Sequence, residues 1–160
     1  MNAVRNWQSE QAVMASSAAG RESLITQSYQ RVTARALIPA WSDPAEALWH
    51  LPAAVVAHGI EDDPIFFYGN RAALELFEMS AEDFIKLPSR MSAEPLEREE
   101  RKKLMERVTR ENFIDDYSGV RVSAGGQRFR IEQATVWNLL APDGALNGQA
   151  AVFSDWIMLD

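Results

Sequence analysis

The 160-residue chain contains no cysteine and only two histidines, His50 and His58. Disulfides, thiolate nucleophiles and cysteine metal sites are therefore excluded. The histidines could join Asp62 or Asp63 around a metal, but this spacing matches no known ligand pattern, so we predict no metal site. The sequence also lacks a G-x-S-x-G elbow, a phosphate-binding glycine loop and a dinucleotide fingerprint.

Long apolar runs and a surplus of positive charge are also missing. No run approaches transmembrane length, and the N-terminus does not resemble a signal peptide. The net charge is −7; residues 1–50 hold four basic and four acidic residues, and residues 51–160 hold twelve and nineteen. This balance argues against nucleic-acid and anionic-membrane partners. We expect a cytoplasmic protein.

Two carboxylate doublets, Asp62-Asp63 and Asp115-Asp116, are the remaining candidates for acid/base chemistry. Adjacent residues of a strand point to opposite faces, so neither doublet naturally forms a catalytic pair. We therefore predict no catalytic residues. An unrecognised small-molecule enzyme is the least favoured function.

The chain divides into a helical N-terminal part and a compact domain. Its 47% hydrophobic residues suffice for one core. Apolar spacing predicts helix over about residues 8–36, with Gly20 bending or dividing it, and Ser42 is a candidate cap for a short helix that follows. We assign residues 1–50 to an N-terminal helical extension and residues 51–160 to the domain core.

The domain begins with two short strands and two short helices. "AAVVA" (53–57) is apolar on both faces, and "IFFY" (65–68) is its predicted antiparallel partner. Asn70 can cap a helix over residues 71–77 with its side-chain oxygen, and Ser80 can cap the next helix.

A long charged helix is predicted over residues 94–111. Its charges can pair along the helix, which indicates a solvated face: Glu97-Arg101, Glu99-Lys103 and Glu106-Arg110. The apolar residues form a narrow inward stripe: Leu96, Leu104, Met105 and Val108. Before the helix, we expect Arg90, with Glu94, to tie its loop to the sheet rather than to bind an anion.

Three further strands follow residue 112. Strict alternation in "QRFRIEQATVWNLL" places one set of residues on a single, inward face: Phe129, Ile131, Gln133, Thr135, Trp137 and Leu139. The last strand, "QAAVFSDWIML", is apolar on both faces, which predicts a central position next to "AAVVA".

Five segments, in order, resemble the MEKHLA domain, a module related to PAS domains: "DPIFFYGNRAALELFEMS", "LPSRMSAEP", "FIDDYSGVRVS", "QRFRIEQATVWNLL" and "GQAAVFSDW". The resemblance covers about residues 20–157. It implies an α+β fold with a PAS-like five-stranded antiparallel sheet and helices on one face. It also implies a non-catalytic sensory or ligand-binding module that acts through protein association. Similar domains lie at the C-terminus of plant homeodomain-leucine zipper regulators and also occur as stand-alone bacterial proteins.

We expect any ligand between the sheet and the helical cap. Gln133 and Thr135 are polar on an apolar face and need a partner, which could be a ligand, a buried water or the hydroxyl of Ser92 or Tyr117. The candidate ligand-binding residues are Tyr68, Asn70, Met105, Phe129, Gln133, Thr135 and Trp137. The alternative is that these residues fill a core and that Asn70 is only a helix cap.

The resemblance also limits cofactors. Flavin photosensors of the PAS group use a cysteine, and haem sensors commonly use a histidine on the long helix; this chain has neither. We predict no cofactor, and at most a small apolar or weakly polar ligand. A homodimer is expected through the sheet or the alanine-rich "EQAVMASSAA", and a protein partner is a further candidate. A pure interaction or dimerisation module without ligand is the alternative function.

Overall fold

The computed structural model describes residues 5–93 and 95–160, without the side chains of residues 95–98. Three helices come first: α1 (Trp7–Ala18), α2 (Glu22–Thr33) and α3 (Pro44–His50). Strands β1 (Ala54–His58) and β2 (Phe66–Gly69) are followed by α4 (Arg71–Phe77), α5 (Ala81–Phe84), a 3₁₀ turn (Ser89–Ser92) and α6 (Pro95–Glu111). The chain ends with β3 (Phe113–Val122), β4 (Arg128–Leu140), β5 (Leu146–Phe153) and β6 (Asp155–Met158).

The strands form one antiparallel sheet in the order β2-β1-β5-β4-β3. The short β6 continues along β4 beyond the end of β5. The predicted α+β architecture with five PAS-type strands is confirmed, and β6 adds a sixth. The predicted last strand is interrupted at Ser154, so only its first part, β5, is central next to β1, as its two apolar faces predicted, because a strand in that position is covered on both sides.

The helix boundaries follow from local sequence. Gly20 adopts a left-handed φ of 86° between α1 and α2, so it divides the predicted helix. α3 is capped by Asp43, whose carboxylate accepts from the Glu46 N–H at 3.3 Å. The prediction of Ser42 as this cap is therefore wrong, because the chain becomes helical one residue later. Ser80 caps α5, as predicted.

β2 is followed directly by α4. A Cβ at Gly69 would lie 2.6 Å from Cε2 of Phe84, so α5 packs against a site that only glycine leaves open. Asn70 Oδ1 accepts from the Ala73 N–H at 3.1 Å, which confirms the predicted cap.

The outer face of the sheet is covered by α2 of the same chain. The Trp137 and Tyr29 rings lie 4.9 Å apart, and Trp137 Nε1 donates to the Ile25 carbonyl at 3.3 Å. Ser28 Oγ accepts from the Leu140 N–H at 2.9 Å. The N-terminal helices therefore share one hydrophobic core with the sheet. The division at residue 50 remains a prediction.

The inner face carries α4, α5 and α6. Phe66 stacks on Phe84 with ring centroids 4.5 Å apart, and Phe77 meets Phe129 edge-on at 5.3 Å. None of the helices in the described part of the chain has both the length and the apolar character needed to cross a membrane.

α6 packs through a narrow stripe, as predicted. Leu104 and Val108 are buried, and Met105 is partly buried against the same cluster. Glu94 and the side chains of Leu96 and Glu97 lie outside the described part, so the predicted roles of Leu96 and Glu94 and the Glu97-Arg101 pair are not described. Among the described residues, the two other predicted ion pairs of α6 do not form; those present are Lys103-Glu100 at 3.8 Å and Arg107-Glu111 at 2.8 Å.

β4 contains a bulge at Gln133. Ile131 pairs with Gly119 of β3, and Ala134 pairs with Tyr117, so β4 has one more residue than β3 between these pairs. Gln133 takes a left-handed φ of 49° at this point and is exposed. Such a bulge reverses the faces of all later residues in the strand.

The predicted inward face of β4 is therefore wrong beyond Ile131. Ala134 now follows Ile131 on the inner face, while Thr135 and Trp137 lie on the outer face under α2. Gln133, expected to be buried, faces solvent because the extra residue is accommodated there.

Substitutions at Gln133 should test the bulge. A left-handed φ is unfavourable for a β-branched side chain and costs glycine little. We expect Gln133→Val to lower the free energy of unfolding by about 1–2 kcal/mol, and Gln133→Gly to remain within about 1 kcal/mol of the parent. Urea unfolding measures both. Arg130→Val, on an exposed site of the same strand, is the control and should change little; equal stability of the valine and glycine variants at 133 would contradict the bulge.

Candidate functional site

A cavity of about 60 Å³ lies between α6 and the inner face of the sheet. This volume holds a few waters or a ligand of only a few non-hydrogen atoms. Apolar side chains form most of its wall, including Val56, Phe66, Phe77, Met105, Ile131, Ala134 and Val136. A smaller set is polar: His58, Ser92, Arg101, Tyr117, Arg121 and Gln149. We call this space the α6 cavity.

His58, the last residue of β1, lines the α6 cavity with an unpaired nitrogen. Its Nδ1 lies 2.9 Å from the Gly59 carbonyl oxygen, which can only accept, so Nδ1 carries the proton. Nε2 is buried and has no hydrogen-bond partner among the described residues. Burial lowers the pKa of His58 to about 4; the positive charge of Arg101 contributes to this lowering, whereas the hydrogen bond with the Gly59 carbonyl and the charge of Glu61 oppose it. At neutral pH, Nε2 therefore carries no proton and can accept a hydrogen bond, but no described group donates one to it.

Two arginines supply donors to the same cavity. Arg101 donates to Ser89 Oγ at 2.7 Å, and burial, with the charge of Arg121, lowers the pKa of Arg101 to about 10. Arg121 is 6% exposed and donates to the Val120 carbonyl at 2.8 Å and to the Tyr117 hydroxyl at 2.7 Å. Neither arginine forms an ion pair with a carboxylate in the described part of the chain. The α6 cavity therefore favours negative charge.

A buried amide network fixes the C-terminal part of α6 beside this cavity. Gln149 Nε2 donates to Asn138 Oδ1 and to Thr109 Oγ1, both at 3.0 Å. Asn138 Nδ2 donates to the Val108 carbonyl at 3.0 Å and to Asn112 Oδ1 at 3.1 Å. These hydrogen bonds join the last turns of α6 to β4 and β5. They fix the position of α6 against the sheet, and therefore also the position of Arg101 in the cavity wall.

Of the predicted ligand-binding residues, only Met105 lines the α6 cavity. Phe129 is fully buried behind it, against Phe77. Gln133 is exposed, and Thr135 and Trp137 lie on the opposite face of the sheet because of the β4 bulge. The structure therefore does not bring these residues together as the alternation predicted.

Tyr68 and Asn70 also lie away from the α6 cavity. β2 has its own bulge, since Tyr68 pairs with Ala57 while Phe66 pairs with His58. This irregularity turns Tyr68 toward the N-terminal helices. Every hydrogen-bonding position of the Asn70 amide is taken by backbone groups, so its structural role accounts for it completely.

The sequence reading missed His58, Arg101 and Arg121 as site residues. Arg101 stands three, four and seven residues before Leu104, Met105 and Val108, so the helical period did place it on the inward stripe. Its predicted pairing with Glu97 instead placed Arg101 on the solvated face of the helix, so its inward position was overlooked. Arg121 carries no comparable pattern, because the alternation of β3 is interrupted twice.

The other candidates of the sequence lie at the surface. Arg90 donates to Asp63 at 2.9 Å, which joins its loop to the β1–β2 turn; Glu94, the other residue of this expected contact, lies outside the described residues. Asp115 and Asp116 pair with different arginines, Arg35 and Arg107. No group of three or more metal-binding side chains occurs among the residues that the structure describes.

The fold and the α6 cavity define a PAS-like module. A PAS domain from Colwellia psychrerythraea superimposes with a TM-score of 0.59 at 17% identity, covering 72% of this chain and 92% of that one. A PAS domain from a two-component sensor histidine kinase gives a TM-score of 0.53 at 17% identity, covering 69% and 88%. At this identity, the likeness concerns the fold alone.

Within this class, the family model of the MEKHLA domain matches residues 19–158, and the chain belongs to that family. The rice (Oryza sativa) homeobox-leucine zipper protein HOX10 is 27% identical over 110 residues. That match covers 68% of this chain and 13% of HOX10, so the relation concerns one domain of a much longer protein. The family match begins within the N-terminal helical part, before the predicted boundary at residue 50.

Proposed function

We propose that this protein is a non-catalytic sensory module whose α6 cavity takes up a small hydroxycarboxylate. The observation that carries the proposal is the unpaired, buried Nε2 of His58 in a cavity that Arg101 and Arg121 also line. A carboxylate can accept from the guanidinium groups, and a hydroxyl can donate to Nε2. The proposed ligand is therefore more polar than the small apolar or weakly polar ligand expected from the sequence.

The size of the cavity limits the ligand. About 60 Å³ is far below the several hundred Å³ of a typical drug-sized pocket. A two- or three-carbon acid such as glycolate fits this limit, whereas a flavin or haem does not. The apolar wall around the polar groups strengthens charge interactions, because few waters compete inside it.

Signal output is proposed to occur through association. A ligand would contact Arg101 on α6 and Arg121 and His58 on the sheet, so its arrival would change how α6 rests on β4. The other face of β4 carries α2, which offers a mechanical connection to the N-terminal helices. Three alanines are exposed: Ala12 and Ala15 on α1, and Ala19 directly after it. They provide a contact surface for a second copy of the chain in a homodimer. A protein partner at the same face is the alternative.

Thermal unfolding with glycolate tests the ligand proposal. At about ten times its Kd, glycolate should raise Tm by about 3–5 °C, whereas the neutral isostere glycolamide should do much less. His58→Leu should abolish the response, because it removes the acceptor. His50→Leu, the same change at an exposed histidine, should keep it.

A small set of outcomes decides between the functions. Equal shifts with glycolate and glycolamide would contradict an anion site, and an unaltered response in His58→Leu would contradict the role of Nε2. If no small acid shifts Tm and native mass spectrometry finds only the bare chain, the pure interaction module is favoured. A bridging water would then satisfy His58.

A further inference from the structure

A second cavity lies on the opposite side of the sheet, between β2 and the N-terminal helices. It has a volume of about 320 Å³ and opens to solvent. Residues of α1, α2 and α3 form it, so it belongs to the helical part that precedes the PAS-like strands. Its wall includes Gln11, Glu22, Glu46, Trp49 and Tyr68. We call it the N-terminal cavity.

Tyr68 contributes an unpaired hydroxyl to the N-terminal cavity. The residue is 2% exposed, and its hydroxyl has no hydrogen-bond partner among the described residues. A buried hydroxyl without a partner is unfavourable, and natural proteins rarely leave one. Burial, reinforced by the negative charge of Glu22, raises the pKa of Tyr68 well above its ordinary value. The phenol is therefore protonated and neutral, with an oxygen free to accept.

The charges around this hydroxyl are negative. Glu22, the first residue of α2, is 6% exposed and forms no ion pair with a described residue. Glu46 is the second carboxylate of the cavity; Gln11 donates to it at 2.8 Å, and His50 lies 3.4 Å from it. Among the residues that the structure describes, no lysine or arginine lines the N-terminal cavity. A bound cation would supply the missing positive charge.

Aromatic surface makes an organic cation a better match than a metal ion. Trp49 and Tyr68 both line the cavity and are almost fully buried. Aromatic faces attract ammonium groups and pack against alkyl chains. Two carboxylates with a phenol are few ligands for a hard metal ion, which prefers six or more oxygens.

We propose that the N-terminal cavity binds a primary alkylammonium ion, whose N–H groups donate to the Glu22 carboxylate and the Tyr68 oxygen while its chain packs on Trp49. An ammonium group has three donors and no acceptor, and here it meets acceptors that the protein leaves unused. This inference does not depend on the α6 cavity.

Binding of butylammonium chloride, followed by isothermal titration calorimetry at fixed ionic strength, tests the proposal. We expect saturable binding of butylammonium and none of 1-butanol, which has the same chain without the charge. Glu22→Gln should weaken binding at least tenfold, and Tyr68→Phe about tenfold. Glu75→Gln, at an exposed carboxylate of α4, and His58→Leu in the α6 cavity should bind as the parent does.

Two readouts separate a ligand role from a structural one. Without ligand, Tyr68→Phe should melt at or above the parental temperature, because the hydroxyl that it removes has no partner. A clear loss of thermal stability in Tyr68→Phe would overturn the proposal, since the hydroxyl would then be holding the fold. Equal binding of 1-butanol, or undiminished binding by Glu22→Gln, would overturn it as well.

Discussion

Deleting residues 1–38 is expected to produce a chain that aggregates. The deletion removes α1 and α2, whose Met14 and Ile25 are almost completely buried, and uncovers Trp137 on the sheet. Each large apolar side chain returned to water costs about 1.5–3 kcal/mol, so the total approaches the whole stability of a domain. The soluble fraction after expression and the thermal unfolding of any soluble product measure the effect.

A point variant provides the matched test of the same interface. Ile25→Asp places a charge at a fully buried position of α2, and Gln27→Asp makes the same addition at an exposed position two residues away. The first should reproduce the loss of stability and the second should not. If the truncated chain remains as soluble and as heat-stable as the parent, α2 does not cover the sheet in the way described.

Replacement of Asn70 should give the largest effect of a single side-chain truncation. Its Oδ1 accepts from the Val55 N–H at 2.9 Å and from Ala73, and its Nδ2 donates to the Leu48 and Ala53 carbonyls at 3.0 and 2.8 Å. Asn70→Ala leaves these groups unpaired in the interior. We expect the free energy of unfolding to fall by about 3–5 kcal/mol, as measured by urea denaturation.

Two further variants make the Asn70 result specific. Asn70→Asp keeps the acceptor but directs a carboxylate at backbone carbonyls, so it should also destabilise the protein. Asn147→Ala, at an exposed asparagine, should change stability by less than about 0.5 kcal/mol. A loss below about 1 kcal/mol in Asn70→Ala would show that the three segments meeting at this side chain do not depend on it.

The sequence predicted helices and strands well where one local signal dominated. Asn70 and Ser80 are good caps for α4 and α5, and both were read correctly. Gly20 lies between α1 and α2 in a left-handed conformation that glycine adopts easily. These signals lie within a few residues, so no distant contact was needed to interpret them.

The candidate site could be predicted only in part, because it depends on strand pairing. A bulge at Gln133 arises between β3 and β4, and the alternation of β4 alone contains no sign of it. It moved Thr135 and Trp137 out of the predicted site. The irregularity of β2 did the same for Tyr68, and thereby placed its hydroxyl in the N-terminal cavity.

By itself, the amino-acid sequence determined the class of fold, the central place of β5 and the absence of cysteine chemistry. The class of fold follows from the resemblance of five segments to the MEKHLA domain, the place of β5 from apolar residues on both faces of the strand, and the absence of cysteine chemistry from composition. Only the tertiary structure decided which polar groups share a cavity. His58, Arg101 and Arg121 come from β1, α6 and β3. Their meeting depends on the rotation of a helix and the register of strands, which packing across the whole domain sets.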